Sequence, residues 1–254
     1  MSDLAHNGIA ATLRALTPAR VGIGRTGISQ QTRDVLEFQL AHARARDAVH
    51  ASLDGAALAA AIEPGVRPAV LHLHSAASNR AEYLQRPDLG RKLNDASRVF
   101  LMEQNIDSAD VALIIADGLS SLAVERHVPA LLHELLPRLT NLCLAPICIV
   151  EQGRVAIGDE IGEVLGAQLS IVFIGERPGL SSPDSLGAYI TWQPKPGRTD
   201  AERVCISNIR TEGLSYAQAA ARIERTIVDA RARRLTGVAS QSTSDLLAAG
   251  EENL

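Results

Sequence analysis

The run Leu169-Ser170-Ile171-Val172-Phe173-Ile174 constrains the fold more than any other stretch of the chain. It is short for a helix, rich in strand-forming side chains and nearly continuous in its apolar character. A strand covered on both faces fits it, and such strands sit in the middle of α/β sheets. The run stops at Gly175-Glu176-Arg177-Pro178-Gly179, so a carboxylate, a guanidinium and turn-formers directly follow the strand. Open α/β sheets bind ligands beyond the carboxyl ends of their strands, which makes Glu176 the first candidate site residue. A pair with Arg177 is the structural alternative for it. Just upstream, Gly158 and Asp159 open a short helix with Ile161, Val164 and Leu165 on one side and Gly166 to end it. Asp159, Glu160 and Glu163 stand where the helix N-terminal dipole favours negative charge.

Around this stretch, strands and helices alternate. Asp110–Ala116, Leu144–Val150, Gly187–Trp192 and the shorter Val204–Arg210 read as further strands. Asp117-Gly118-Leu119-Ser120-Ser121 turns the first of them into a helix that ends near Pro137. That turn offers small residues and free amides for an anion, or simply a cap from Asp117 or Ser120. Ser215-Tyr216-Ala217-Gln218 is a capping box opening a helix through about Leu235, with Tyr216, Ala220, Ile223, Ile227 and Ala230 as its apolar stripe. The alternation predicts an α/β fold with a doubly wound, mostly parallel, Rossmann-like sheet, preceded by a smaller, mainly helical N-terminal domain. The expected division is a tail at 1–19, a helical domain at 20–95, the sheet domain at 96–240 and a tail at 241–254.

In the N-terminal part, the clearest period is a helix from Gln30 to about Leu53, with Val35, Phe38, His42, Ala45, Val49 and Leu53 on one stripe. Its charged end carries Arg44, Arg46 and Asp47, either a solvated terminus or a surface for a partner. Glycines at 22, 24 and 27 match Gly-x-Gly-x-x-Gly, but no useful strand precedes them and no helix follows at once, so they read as a surface loop. Ala69–His74 is a short strand that could join either domain. His72 and His74 share a face of it without a carboxylate or thiol nearby to complete a metal set.

Composition narrows the function. A net charge of -4 gives no footprint for nucleic acid. No apolar run is long enough to span a membrane, and no leader pattern opens the chain, so a soluble, unexported protein is expected. Cys143, Cys148 and Cys205 lack zinc-type spacing and read as reduced thiols. No Gly-x-Ser-x-Gly, His-Glu-x-x-His or Walker loop occurs, and no catalytic set assembles from the residues. Cys205 reads either as a small residue in an apolar strand or as a ligand contact. A stand-alone nucleotide- or flavin-binding protein is one function consistent with this pattern.

Six segments point further: HARARDAVH at 42–50, RAEYLQRPDLGRKL at 80–93, ADGLSS at 116–121, QGRVAIGDEIGEVLGA at 152–167, IGERPGLSSPDSLGAYITW at 174–192 and CISNIRTEGLSYAQAA at 205–220. In this order they resemble the small (light) subunit of ethanolamine ammonia-lyase. The resemblance implies a subunit of an adenosylcobalamin-dependent radical lyase that converts ethanolamine to acetaldehyde and ammonia. A large (β/α)8-barrel subunit binds the substrate and carries the reactive residues. The small subunit supplies part of the corrinoid surface and helps hold the hetero-oligomer together. The family's cobalamin-contacting positions carry over to Val155, Glu176 and Cys205, with no catalytic residue and no metal ligand on this chain. Arg44 and Arg46 become candidate contacts with the large subunit. The Asp-x-His-x-x-Gly signature of base-off cobalamin proteins does not occur, which agrees with a cofactor that keeps its own base. The implied location is the bacterial cytoplasm, with an ethanolamine-utilisation microcompartment as a further possibility. Fewer than 20 residues precede the matching region, whereas many family members carry a longer extension, so packaging does not carry over directly.

Overall fold

A computed structural model describes residues 12–17, 19–62, 68–106 and 108–238. The expected tail at 241–254, most of that at 1–19 and the Pro64-Gly65 turn lie outside the described residues. A helical stretch at 12–16 precedes a small hairpin, β1 (Arg25–Thr26) and β2 (Ser29–Gln30). The glycine-rich loop therefore turns a hairpin at Gly27, whose φ of 65° suits glycine, and opens no helix directly. Helices α1 (Thr32–His50) and α2 (Gly55–Ile62) follow, then β3 (Val70–His74), α3 (Arg80–Gln85) and α4 (Asp95–Met102). The remaining elements are β4 (Ala109–Ala116), α5 (Ser121–Leu135), β5 (Ile147–Glu151), α6 (Ile157–Val164), β6 (Ala167–Gly175), β7 (Leu186–Trp192), β8 (Arg203–Ile209) and α7 (Tyr216–Arg233).

The main sheet has the order β3-β5-β4-β6-β7-β8. Its first four strands are parallel, and β7 runs antiparallel to both β6 and β8. Strand β3 lies at one edge of this sheet, inside the segment expected to be mainly helical. The apolar run leads β6, which pairs with β4 on one side and β7 on the other. Two cores sandwich the sheet. On one face α2, α5 and α7 pack over Leu113, Ile115, Ile149, Ile171 and Phe173. On the other, Leu101 of α4 and Ile157 and Ile161 of α6 pack over Ile114, Val150, Val172 and Ile174. Alternate residues of each inner strand thus feed opposite cores, as its unbroken apolar character requires.

Helix α6 sits close on its sheet because of Gly158, where a Cβ would come 2.3 Å from Cγ2 of Val172. Its first-turn acids do more than meet the dipole. Asp159 is buried and gripped by Arg203 of β8 through two bonds of 2.6 Å. Glu160 accepts the Leu93 amide at 2.8 Å and pairs with Arg98 at 2.5 Å.

The stripe of α1 is a correction. The helix forms, yet Ala48 alone of its residues is buried, and Leu36, Phe38 and Leu40 are exposed. Leu53 is buried but lies beyond the helix end. Periodicity identified the helix; it did not imply that this chain covers the stripe.

Candidate functional site

The β4 and β5 loops diverge at the carboxyl edge, because α5 lies on one face of the sheet and α6 on the other. This is the switch point where doubly wound folds usually take a ligand. Here the chain fills it itself. Nη1 of Arg80, from α3, donates to the Gly118 carbonyl at 2.9 Å and to Asp117 Oδ2 at 3.2 Å, while its Nε donates to Val49 O at 2.7 Å. Asp117 is fully buried and accepts the Gly153 amide at 2.9 Å. Burial pushes its carboxyl up to about 6, against the pull of the Arg80 guanidinium. The guanidinium groups of Arg80 and Arg154 both lie against the buried ring of Tyr83, 4.8 and 4.2 Å from its centroid, and its hydroxyl donates to Gly153 O. Asp117 is therefore an anchor for Arg80, and Ser120 is the residue that caps α5. A dinucleotide in this crevice would have to displace Arg80. Next to it the β4 and β6 loops are locked together. A Cβ on Gly118, which has φ 58°, would lie 2.3 Å from the Gly175 carbonyl.

Glu176 stands beside this lock and is half-buried. It opens the connection from β6 to β7, whose far end is tied back when the Glu176 amide donates to Ser185 O at 2.9 Å. The last residues of the loop are also held to α5. Ser120 Oγ donates to Pro183 O at 2.9 Å, and Arg126 pairs with Asp184 at 2.9 Å. No ion pair links Glu176 to Arg177 among the described residues. Instead Ser185 Oγ donates to Glu176 Oε2 at 2.5 Å, and the Asn208 amide donates to the same oxygen at 3.3 Å. Oε1 lies over Gly187, where a Cβ would be 3.0 Å from it and 3.3 Å from Cε2 of Tyr189.

Cys205 is the cross-strand partner of Tyr189, and its side chain stands exposed. It is no core residue, because alternation in β8 sends Val204 and Ile206 to the core and Cys205 to the opposite face. Although the residue is exposed overall, partial desolvation raises its thiol pKa, the hydrogen bond with Tyr189 opposes this, and Glu176 adds to it, so a neutral S–H is favoured. Burial likewise raises the Tyr189 hydroxyl. Glu176, Tyr189 and Cys205 thus share one neighbourhood on the sheet face beyond α6, which itself lies over β4 and β6.

Val155 sits apart from these three in the β5–α6 loop, half-buried against the second core, with its carbonyl accepting the Gly158 amide at 3.1 Å. It belongs to the same carboxyl edge as Glu176. Ser185, Gly187, Tyr189 and Asn208 were not singled out as site residues from the sequence. Gly187 carried the available signal, since a glycine inside a strand marks a close approach.

Fold and site define a doubly wound α/β protein whose switch-point crevice is plugged from within and whose candidate binding surface is an open, acceptor-edged sheet face. The chain belongs to the ethanolamine ammonia-lyase light chain family, whose profile matches residues 8–240. It is 54% identical over 240 residues to the ethanolamine ammonia-lyase small subunit of Xanthomonas campestris pv. campestris strain B100, covering 92% of this chain and 88% of that one. Against the protein of the same name from Pseudomonas fluorescens strain Pf0-1 it is 54% identical over 231 residues, 89% of this chain and 84% of that one. For Pseudomonas aeruginosa strain LESB58 the identity is 53% over 231 residues, with the same coverage of 89% and 84%. No helix among the described residues is long and apolar enough to cross a membrane.

Proposed function

We propose that this chain is the small subunit of an adenosylcobalamin-dependent ethanolamine ammonia-lyase, and that its open β7–β8 face, edged by Glu176, forms part of the corrinoid surface. The large subunit completes that surface and carries the substrate site. One observation carries the reading: among the described residues two donors, Ser185 Oγ and the Asn208 amide, meet the half-exposed carboxylate of Glu176 on Oε2, while Oε1 lies over Gly187 beside Tyr189. A corrinoid is a broad disc rimmed by primary amides, so it needs acceptors at the edge and an uncharged wall behind them. Glu176 supplies the acceptor. Tyr189, the neutral Cys205 thiol and the Val155 side chain supply wall, so the residues present fit the group.

When bound, adenosylcobalamin supplies the radical chemistry of the reaction. The residues of this chain bind, orient and exclude water. Glu176 takes amide N–H donors at the rim, and Cys205 and Val155 offer close apolar contact. The uncovered stripe of α1, with Arg44 and Arg46 towards its end, supports a surface for the large subunit. The expected setting is the bacterial cytoplasm.

Co-expression with the large subunit tests the reading. The chain alone is expected to show no lyase activity, and the complex to be active and retain hydroxocobalamin. Glu176→Ala should weaken that retention about tenfold, as loss of a shielded charge-assisted bond implies, and Cys205→Trp should block it sterically. Two variants that titrate like wild type would remove the proposed contact face.

A further inference from the structure

Glu176 is an unusual acceptor because its two oxygens have different surroundings. Ser185 Oγ and the Asn208 amide both donate to Oε2, at 2.5 and 3.3 Å. These donors come from the end of the β6–β7 connection and from β8, so two separate pieces of backbone fix one oxygen. Ser185 is itself 6% exposed and stands just before β7. The other oxygen lies over Gly187, with 3.0 Å to the position a Cβ would take. The absent side chain at 187 is what lets the carboxylate lie over β7 next to the Tyr189 ring.

A glutamate has three rotatable bonds and, left alone, would sample many orientations in water. Two donors on one oxygen, from separate pieces of backbone, remove most of that freedom before a ligand arrives, and the missing side chain at 187 leaves room for the orientation they select. Preorganisation of this kind raises affinity without adding a ligand contact. It also sets polarity. With Oε2 already engaged by donors, Oε1 offers only lone pairs, so the group accepts from N–H or O–H and disfavours another acceptor.

We infer that Ser185 is a positioning residue for Glu176: its hydroxyl, with the space over Gly187, aims Oε1 at an N–H-donating primary amide on the ligand. This rests on the reading of Glu176 as a corrinoid contact. Ser185 touches no ligand itself, so its effect passes entirely through the carboxylate.

The test uses the assembled complex with the large subunit and hydroxocobalamin as the probe, read as dissociation constant by absorbance. The melting temperature of the cobalamin-free complex serves as the structural control. Ser185→Ala should weaken binding about tenfold while leaving that melting temperature and subunit assembly unchanged, and Ser185→Thr should restore affinity. In a Glu176→Ala background, Ser185→Ala should have no further effect. Gly187→Ala should likewise weaken binding in the wild type and much less in Glu176→Ala, where of the three atoms nearest its Cβ only Tyr189 Cε2, at 3.3 Å, remains. This second pair decides the matter if Ser185→Ala does not assemble.

An equal loss from Ser185→Ala with and without Glu176 would overturn the inference, since Ser185 would then act by another route. If Glu176→Ala weakens binding and neither Ser185→Ala nor Gly187→Ala does, the positioning role alone falls. If Glu176→Ala leaves binding intact, the contact reading falls and this inference with it.

Discussion

At the scale of single residues, the most exposed trade-off in the molecule is the carboxyl of Asp117, buried under Arg80 at the switch point. Burial raises its pKa to about 6 from an ordinary 3.8, with Arg80 pulling the other way. The folded state therefore holds this proton more tightly than the unfolded chain does. Its contribution to stability is full below the unfolded pKa and is lost as pH rises through the folded one. Between about pH 5 and about pH 7.5, wild type should lose about 1 kcal/mol of stability relative to Asp117→Asn, which cannot titrate. Urea unfolding of both proteins at the two pH values measures this, and a relative gain in wild type on raising the pH would contradict it. The same residue shows what local pattern conveys. Asp117 was visible as a strand-end acid before a helix, with capping as the simplest role. Its partner Arg80 lies 37 residues away, and nothing in the turn announces it. Glu176 repeats the case. It stands at the end of the most legible strand, whereas its donors come from 9 and 32 residues further along, brought there only by the sheet order.

Among elements, the short helix α6 carries the greatest structural demand for its length. Glycine at 158 brings it against Val172, and Asp159 ties its first turn across to β8 through Arg203, both side chains being 2% exposed. Removing one member of such a pair leaves a buried charge without its partner. Asp159→Asn should cost about 3 kcal/mol, while exchanging both residues for apolar ones of similar volume should cost much less. Denaturant unfolding of the single and double variants checks this, and a single-variant loss below about 1 kcal/mol would mean that water reaches the pair. The sequence indicated α6, its glycine stop and its acid-rich first turn, but dipole compensation was the only role it suggested for those acids. The reversed direction of β7 was also open to inference. The connection at 176–185 contains Pro178, Gly179 and Pro183, and is short for the crossover that a parallel strand needs. Strand β3 could not be assigned in that way, because a five-residue strand with alternating burial looks the same at the edge of any sheet.

Across the whole molecule, cohesion is uneven. Every residue of β6 except Gln168 is buried, and the strand is packed on both faces. Helix α1 contrasts with it: 19 residues long, it buries Ala48 near its end and leaves Leu36, Phe38 and Leu40 exposed. Its tether to the body includes the bond from Arg80 to Val49 O. An isolated helix of this length is only marginally stable in water. Among the described residues, the first half of α1 is held mainly by its own backbone bonds and by local contacts such as Arg33–Glu37 and Arg20 over the Phe38 ring. Local opening should therefore need far less free energy there than in the sheet. Amide hydrogen exchange on the isolated chain should show Leu36 to Leu40 exchanging orders of magnitude faster than Leu113 to Ala116 or Ile171 to Ile174, whose amides open only with global unfolding. If the large subunit covers this stripe, its addition should slow exchange in the first half of α1 while leaving the β4 and β6 amides as they were. Equal protection of α1 and the sheet in the isolated chain would show that contacts within this chain, or between its copies, already bury the stripe.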